Sequence, residues 1–193
     1  MPDPVLHLIA GPNGAGKTTF YERVLGPATG LPFVNADVIA QERWPEAPAE
    51  HAYEAAEVAA RVRRELIRDR HSFAAETVFS HPSKVDLVRE AQTSDYLVTL
   101  HAILIPEELA VTRVRLRREL GGHDVPEEKI RARFRRLWRL TRQATALTHE
   151  AEILDNSRAS RPFRRVAHYY RGELMGTPDW PAWTPSALLD PDG

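Results

Sequence analysis

Short apolar runs alternate along the chain with longer stretches that are rich in Ala, Glu and Arg. The runs have the length and apolar character of buried strands, and the longer stretches have the composition of helices. Strands are predicted at residues 5–10, 33–34, 72–76, 96–105 and 151–154. Helices are predicted at residues 16–25, 49–70, 83–91 and 161–174, with two more within 107–149. This alternation favours an α/β fold with a doubly wound, mostly parallel five-stranded sheet between two layers of helices.

The length of the chain indicates one domain. A chain of 193 residues with 42% hydrophobic residues suits one well-cored unit, which we place at residues 1–175. Residues 176–193 contain Trp180 and Trp183 among several prolines, so they cannot form a regular helix. They form either an ordered strap over the surface or a loose end, and the tryptophans favour the strap.

Charge and cysteine content exclude several classes of protein. A formal net charge of -1 gives no overall attraction to nucleic acid or to an anionic membrane. The absence of cysteine excludes disulfides, thiolate metal sites and a cysteine nucleophile. The sequence also lacks the run of roughly 20 apolar residues that spans a bilayer. We therefore expect a cytoplasmic protein that does not enter membranes.

The strongest chemical signal is a phosphate-binding motif between the first predicted strand and the first predicted helix. It fits the pattern G-x-x-x-x-G-K-[ST] and comprises Gly11, Pro12, Asn13, Gly14, Ala15, Gly16, Lys17 and Thr18, followed by Thr19. Glycines in such a loop let main-chain amides converge on phosphate oxygens. Lys17 can then reach the β- and γ-phosphates, and the Thr18 hydroxyl can bind Mg²⁺. A glycine turn that only caps a helix is disfavoured, because both flanking elements match the motif.

Two carboxylates follow predicted strands at the edge where doubly wound sheets bind their ligands. Asp37 comes after the second strand, where it can accept the proton of an attacking hydroxyl or cap the segment 38–42. Glu76, followed by Thr77, can bind a substrate hydroxyl or a metal-bound water. Its alternative role is only to favour the positive start of the next helix.

Arginines are concentrated in residues 107–149, in two predicted helices joined at Gly121 and Gly122. A helical, arginine-rich lid of this kind can close over phosphates, exclude water and stabilise transferred charge. Arg113 and Arg117 lie four residues apart on one helical face. For any single arginine, the alternative is a solvated basic face paired with nearby glutamates. Nucleic-acid binding by the arm is disfavoured, because few aromatic residues are interleaved and the net charge is near zero.

The same motifs occur in order in a known family. The segments are residues 11–19, 33–37 and 76–80, Arg113 with Arg117, and residues 121–126, 133–134 and 155–157. In this combination the chain resembles the zeta toxin family of P-loop kinases. The resemblance implies a P-loop kinase-like sheet, ATP with Mg²⁺, and transfer of the γ-phosphate to a UDP-activated amino sugar such as UDP-N-acetylglucosamine. Such a transfer would poison cell-wall synthesis, and a cognate antitoxin protein would be a partner.

The resemblance also sorts the candidate residues by role. The predicted catalytic residues are Asp37, Lys17, Arg113 and Arg117. The residues predicted to bind the nucleotide are the loop residues 11–19, with Thr18 on the metal, and Asn156 near the base. The residues predicted to bind the acceptor are Asp37, Glu76, Thr77, His123 and Arg133. Asp37 would be the base and Glu76 would bind the sugar, whereas His123 either contacts a phosphate or makes a single hydrogen bond within its loop.

Three functional hypotheses stay open on the sequence. The first is a small-molecule kinase with Asp37 as its base. The second is a P-loop module that binds or hydrolyses ATP as a switch on nucleic acid or a protein partner. The third keeps the kinase chemistry but changes the acceptor to a nucleoside, an antibiotic or a shikimate-like metabolite.

Overall fold

A computed structural model of the chain describes residues 2–119 and 125–189. The strands in these residues are β1 (Val5–Ala10), β2 (Phe33–Val34), β3 (Phe73–Thr77), β4 (Leu97–Leu104), β5 (Glu150–Asp155), β6 (Arg164–Tyr170) and β7 (Glu173–Leu174). They form one sheet in the order β2-β3-β1-β4-β5-β6-β7. The first five strands in this order pair in parallel, whereas β6 and β7 are antiparallel additions at one edge. The strand that precedes the phosphate loop, β1, therefore lies at the centre of the parallel part.

Helices connect the parallel strands, and one more follows β7. They are α1 (Lys17–Phe20), a π-helical turn (Tyr21–Leu25), α2 (Gly26–Thr29), α3 (Ala36–Arg43), α4 (Ala52–Arg68), α5 (Ser83–Thr93), α6 (Glu107–Glu119), α7 (Glu127–Leu147) and α8 (Ser186–Leu189). None of the helices in the described ranges has the length and apolar composition needed to cross a membrane.

The sheet separates two apolar layers. Because successive side chains of a strand point to opposite faces, Leu6 and Leu8 of β1 join one buried cluster and Ile9 joins the other. The first cluster also contains the buried faces of α4, α5 and α7, including Trp138. The second contains Phe20 of α1 and the buried face of α6. This arrangement confirms the predicted α/β fold with helices on both faces of a mostly parallel sheet.

The prediction of five strands and of a helix at residues 161–174 was wrong. That segment forms the hairpin of β6 and β7, and β6 pairs with β5 through a bulge next to Ile153. Val166 and Tyr169 are buried on the sheet, as suits β-branched and aromatic residues. The turn uses left-handed backbone at Arg171 (φ 50°) and Gly172 (φ 81°), which is the geometry of a two-residue hairpin loop. Pairing with β5 and the turn geometry outweigh helix propensity here.

The segment after β7 packs against the domain. Trp180 and Trp183 are partly buried against the cluster that contains Trp138. The amide of Asp179 donates to Val166 O at 2.7 Å, and Leu188 of α8 is buried against the same cluster. Residues 176–189 thus lie over the α7 side of the sheet as an ordered strap.

Candidate active site

A cavity of about 630 Å³ opens at the carboxyl ends of β1, β2 and β3. Its walls come from the loop after β1, the start of α3, one face of α4 and the segment 76–81, together with side chains of α6 and α7. The carboxyl edge of a doubly wound sheet is its usual ligand site, and the volume is that of a small-molecule pocket.

The loop after β1 forms a cradle of main-chain amides. Gly11 has φ of 150°, and a Cβ there would lie 2.7 Å from Ile103 O, so the position requires glycine. Within the described part of the chain, the amides of Asn13, Gly14 and Gly16 have no hydrogen-bond acceptor. Amides left open in this way can bind phosphate oxygens.

Four polar side chains from three elements meet at the foot of this loop. Lys17 Nζ donates to Pro12 O at 3.0 Å and lies 3.6 Å from Glu76 Oε1. The Thr18 hydroxyl donates to Glu76 Oε2 at 2.7 Å. Asn35 Nδ2 donates to the same oxygen at 2.8 Å. Glu76 therefore sits against the phosphate-loop lysine and threonine, which its interpretation as a helix-start residue does not explain.

This cluster fits Mg²⁺. The Thr18 hydroxyl and the Glu76 carboxylate are the oxygen donors that Mg²⁺ prefers, and they already lie within hydrogen-bond distance of each other. No group of three or more acidic or histidine side chains that could cage a metal occurs among the described residues. Such a site suits an ion that is held by one or two protein oxygens together with nucleotide phosphates and water.

Asp37 lies in the first turn of α3 with its side chain exposed to the cavity. The N-cap of this helix is Asn35, whose Oδ1 accepts from the amide of Asp37 at 2.7 Å. The carboxylate of Asp37 is thus not used as the cap. It faces Arg133 of α7, whose pKa is lowered by burial and by Arg136 while Asp37 acts in the opposite direction.

The two predicted catalytic arginines of α6 take different positions. Arg113 lies against the phosphate loop, with Nη1 3.4 Å from Gly14 O and Nη2 3.0 Å from Asn156 O. Burial lowers the pKa of Arg113. Arg117, one turn further along, has an exposed side chain that lines the cavity. Arg113 therefore supports the loop, while Arg117 stands at the mouth of the cavity.

The structure brings most of the predicted site residues together. Those that line the cavity are Asn13, Gly14, Gly16, Lys17, Thr18, Thr19, Asp37, Glu76, Thr77, Arg113, Arg117 and Arg133. Gly11, Pro12 and Ala15 lie beneath the loop surface and are buried. Asn156, predicted near the base, donates from Nδ2 to Ala15 O at 2.8 Å and so contacts the phosphate loop. His123 and the glycine pair at 121–122 lie outside the described residues.

One arginine of the arm behaves as the alternative of a solvated basic face predicts. Arg131 of α7 lies 3.4 Å from Glu107, 2.9 Å from Glu108 and 2.8 Å from Glu127. These contacts fasten the start of α7 to the start of α6. They therefore help to fix the relative position of α6, which carries Arg113 and Arg117, and α7, which carries Arg133.

Three cavity residues were given no role by the sequence analysis. Asn35 appeared only within the family segment 33–37, and Arg63 and Lys84 were not singled out. Arg63 ends a row of three alanines on one face of α4, at positions 52, 56 and 59, all of which line the cavity. A row of small residues that ends in a cation at helical spacing was the available signal.

Comparison with known proteins places the chain in a family. A family model described as Zeta toxin matches residues 1–166. No curated protein sequence matches the chain significantly.

Solved structures share the fold. The AvrRxo1-ORF1:AvrRxo1-ORF2 complex with ATP matches with a TM-score of 0.70 and 19% identity, over 90% of this chain and 60% of that one. The PezAT chromosomal toxin-antitoxin system of Streptococcus pneumoniae matches with a TM-score of 0.64 and 17% identity, over 86% and 72%. Shikimate kinase from Acinetobacter baumannii, in complex with shikimate, matches with a TM-score of 0.53 and 20% identity, over 82% and 87%. At these identities the likeness concerns the P-loop kinase fold, and this chain spans only 60% of the AvrRxo1 chain that it matches.

Proposed function

Since the chain belongs to the zeta toxin family, we propose that it is an ATP-dependent phosphotransferase acting on a small molecule. The γ-phosphate of ATP is transferred to a hydroxyl of a UDP-activated amino sugar such as UDP-N-acetylglucosamine. The observation that carries this proposal is that one cavity is lined by Lys17 and Thr18 of the phosphate loop and by Asp37, a carboxylate in the first turn of α3.

The nucleotide binds at the phosphate loop. The open amides of Asn13, Gly14 and Gly16 hold phosphate oxygens, and Lys17 moves from Pro12 O to the β- and γ-phosphates. Mg²⁺, held by Thr18 and Glu76, supplies charge neutralisation for the phosphates when it is bound. Asn35 keeps Glu76 oriented toward Thr18. The ATP complex of the AvrRxo1 pair, which has this fold, supports ATP as the donor.

Transfer requires one base and several cations. The acceptor hydroxyl forms a bond to the γ-phosphorus as the bond from that phosphorus to the β-γ bridging oxygen breaks, and ADP leaves. Asp37, exposed to the cavity, takes the hydroxyl proton. Arg117 and Arg133 stand where charge spreads over the transferred group, and Arg113 keeps the loop in place.

A protein partner is the second part of the proposal. PezAT is a toxin-antitoxin system, and AvrRxo1-ORF1 is seen with AvrRxo1-ORF2. We propose by analogy that a cognate antitoxin holds this chain inactive. Expression of the wild-type chain alone is then expected to stop growth, and Asp37→Asn is expected to relieve the arrest.

The experiment is mass spectrometry of reaction mixtures. The protein is incubated with ATP, Mg²⁺ and a panel of UDP-sugars, nucleosides and shikimate, and each compound is scored for a gained phosphate. Asp37→Asn is expected to abolish transfer while ATP binding is retained, and Asp86→Asn on the exposed side of α5 serves as the matched control.

The outcomes separate the hypotheses. A phosphorylated UDP-sugar supports the proposal, and a product formed only from another compound replaces the acceptor while keeping the kinase. ATP turnover that rises with DNA or RNA and falls steeply with salt would favour the switch hypothesis instead. Transfer by Asp37→Asn at the wild-type rate would remove Asp37 as the base.

A further inference from the structure

A buried cation in the cavity wall lacks a counter-ion. Arg63 of α4 is 6% exposed and lines the cavity. Its guanidinium makes neither a hydrogen bond nor an ion pair with a described residue, and its nitrogens are not among the fully buried atoms, so they open to the cavity. Burial, and then the neighbouring Arg64, lower the pKa of Arg63, and no carboxylate opposes them. A buried charge without a partner is costly to keep, so the position calls for an anion from outside the chain.

A second cation from another element stands next to Arg63. Lys84 lies in the first turn of α5 and lines the same cavity. Burial, and then the charge of Arg63, lower the pKa of Lys84. Like charges from two separate helices therefore act on each other at the wall of one cavity, and a bound anion would relieve this repulsion.

The surrounding wall leaves room for a ligand. Ala52, Ala56 and Ala59 share the face of α4 that leads to Arg63, and their side chains line the cavity without filling it. Asp37 and Arg133 line the same cavity, and the charge of Asp37 acts on Arg133. Arg63 and Lys84 therefore share the cavity with Asp37, the residue that the proposed function gives to the acceptor hydroxyl.

We propose that Arg63 and Lys84 form an anion subsite that binds a phosphate or diphosphate group of the acceptor, while Asp37 accepts the proton of the acceptor hydroxyl. The inference rests on the proposed function, because it takes the cavity to hold a phosphate acceptor beside ATP. It also goes further, because it makes the negative charge of the acceptor a requirement for binding and assigns that requirement to two residues.

The charge balance favours a phosphate or diphosphate over a carboxylate. The described lining of the cavity has two carboxylates, Asp37 and Glu76, and Glu76 already contacts Lys17. Arg63, Lys84 and Arg133 are therefore left with Asp37 as the remaining carboxylate. A guanidinium offers a fork that fits phosphate oxygens, and a lysine adds a point charge. A phosphate or diphosphate group carries enough negative charge to neutralise two or more cations, whereas a single carboxylate neutralises only one cation.

Equilibrium binding tests the subsite apart from catalysis. The protein is saturated with a non-hydrolysable ATP analogue and excess Mg²⁺, so that the phosphate loop is filled, and it is titrated with inorganic diphosphate by calorimetry. The variants are Arg63→Gln and Lys84→Gln. The matched controls are Arg64→Gln, on the exposed face of the same helix, and Lys129→Gln on α7.

The expected result is binding of diphosphate to the analogue-loaded wild type. Arg63→Gln and Lys84→Gln each weaken this binding about 10- to 100-fold, as expected for loss of a charge-assisted contact. Affinity for the ATP analogue stays unchanged, and both controls bind diphosphate within about twofold of wild type. No diphosphate binding to the loaded wild type, or equal losses in Arg64→Gln, would overturn the subsite.

Thermal stability distinguishes a ligand-binding role from a structural one. If Arg63 is kept for a ligand, Arg63→Met raises the Tm of the ligand-free protein while it weakens diphosphate binding. A lowered Tm with undiminished diphosphate affinity would show a structural residue and refute the subsite. Should Arg63→Met fail to fold, Lys84→Gln at the less buried position still decides the matter by its diphosphate affinity.

Failure of the subsite and failure of the proposed function are separable. If no UDP-sugar gains a phosphate but the loaded protein binds diphosphate through Arg63 and Lys84, the acceptor is another phosphorylated compound and the subsite stands. If a UDP-sugar is phosphorylated with the same KM by wild type and Lys84→Gln, the kinase stands and the subsite falls.

Discussion

The side-chain amide of Asn35 donates a 2.8 Å hydrogen bond to Oε2 of Glu76. The side-chain oxygen of Asn35 accepts a hydrogen bond from the main-chain amide of Asp37 at 2.7 Å and so caps α3. One buried residue therefore fixes both the carboxylate beside the phosphate loop and the start of the helix that carries the proposed base. The nucleotide side and the acceptor side of the cavity are joined through this side chain.

Replacement of Asn35 by Ala is expected to reduce both stability and turnover. Loss of the cap and of a hydrogen bond to a partly buried carboxylate costs about 2 to 3 kcal/mol in the free energy of unfolding. Asn35→Asp keeps the cap but sets a like charge against Glu76, so it should retain more stability than Asn35→Ala while losing turnover. Urea unfolding and kcat measure the two effects. Gln41→Ala, on the exposed side of α3, is the control, and a loss there as large as in Asn35→Ala would contradict the cap assignment.

Replacement of Glu76 by Gln is expected to change the response to Mg²⁺. Glu76 contacts both Lys17 and Thr18, so its charge attracts a metal ion and opposes a triphosphate that arrives without one. The variant should need more Mg²⁺ for half-maximal turnover, lose roughly 100-fold or more in kcat, and bind Mg²⁺-free ATP at least as well as wild type. Titrations of turnover with Mg²⁺ check this, with Glu42→Gln on exposed α3 as control. An unchanged Mg²⁺ requirement would remove Glu76 from the metal site.

What could be predicted from the sequence was local. The phosphate loop follows from eight consecutive residues whose neighbours are a strand and a helix, and the central parallel strands follow from apolar runs that are buried on both faces. The hairpin of β6 and β7 could not be predicted in the same way, because its partner β5 and the left-handed turn at Arg171 decide it.

The cations proposed to bind the acceptor come from distant parts of the chain. Helical spacing puts Arg63 on the same face as Ala52, Ala56 and Ala59, but only the tertiary fold shows that this side chain is buried while Arg64 is exposed. Lys84 comes from the next helix, and Arg133 from α7. Composition cannot distinguish these cations from solvated ones, since the difference is the packing around each side chain.

The pair of His7 and His101 predicts how stability changes with pH. His7 Nδ1 lies 3.0 Å from His101 Nε2, and His101 Nδ1 lies 3.3 Å from Glu152 Oε2. Burial, and then His101, lower the pKa of His7 from 6.5 to about 4. As pH falls from 6.5 to 4, the unfolded chain takes up a proton that the folded chain refuses, so stability is full above pH 6.5 and is lost through this window.

His7→Asn is expected to reduce the loss of unfolding free energy between pH 6.5 and 4. Asn places a neutral nitrogen near the position of Nδ1, and we expect removal of about 1 to 2 kcal/mol of pH dependence, because partial exposure reduces the roughly 3 kcal/mol that the full shift would give. Below pH 4 a second loss should persist, since the contact with His101 lowers the pKa of Glu152 to about 2. Urea unfolding between pH 3 and pH 7 measures both, with exposed His71→Asn as control. An unaltered slope between pH 6.5 and 4 in His7→Asn would assign it to other groups.

The strap of residues 176–189 offers a matched pair of neighbouring leucines. Leu188 is 4% exposed and packs on the cluster that contains Trp138, whereas Leu189 is 50% exposed. Leu188→Ala should cost about 2 to 3 kcal/mol of unfolding free energy, because it removes buried apolar surface and leaves a cavity. Leu189→Ala should cost less than about 0.5 kcal/mol. Both are measured by urea unfolding of the full chain. Equal and small losses for the two variants would mean that the strap adds little to the stability of the domain, and a large loss in Leu189→Ala would contradict its exposed position.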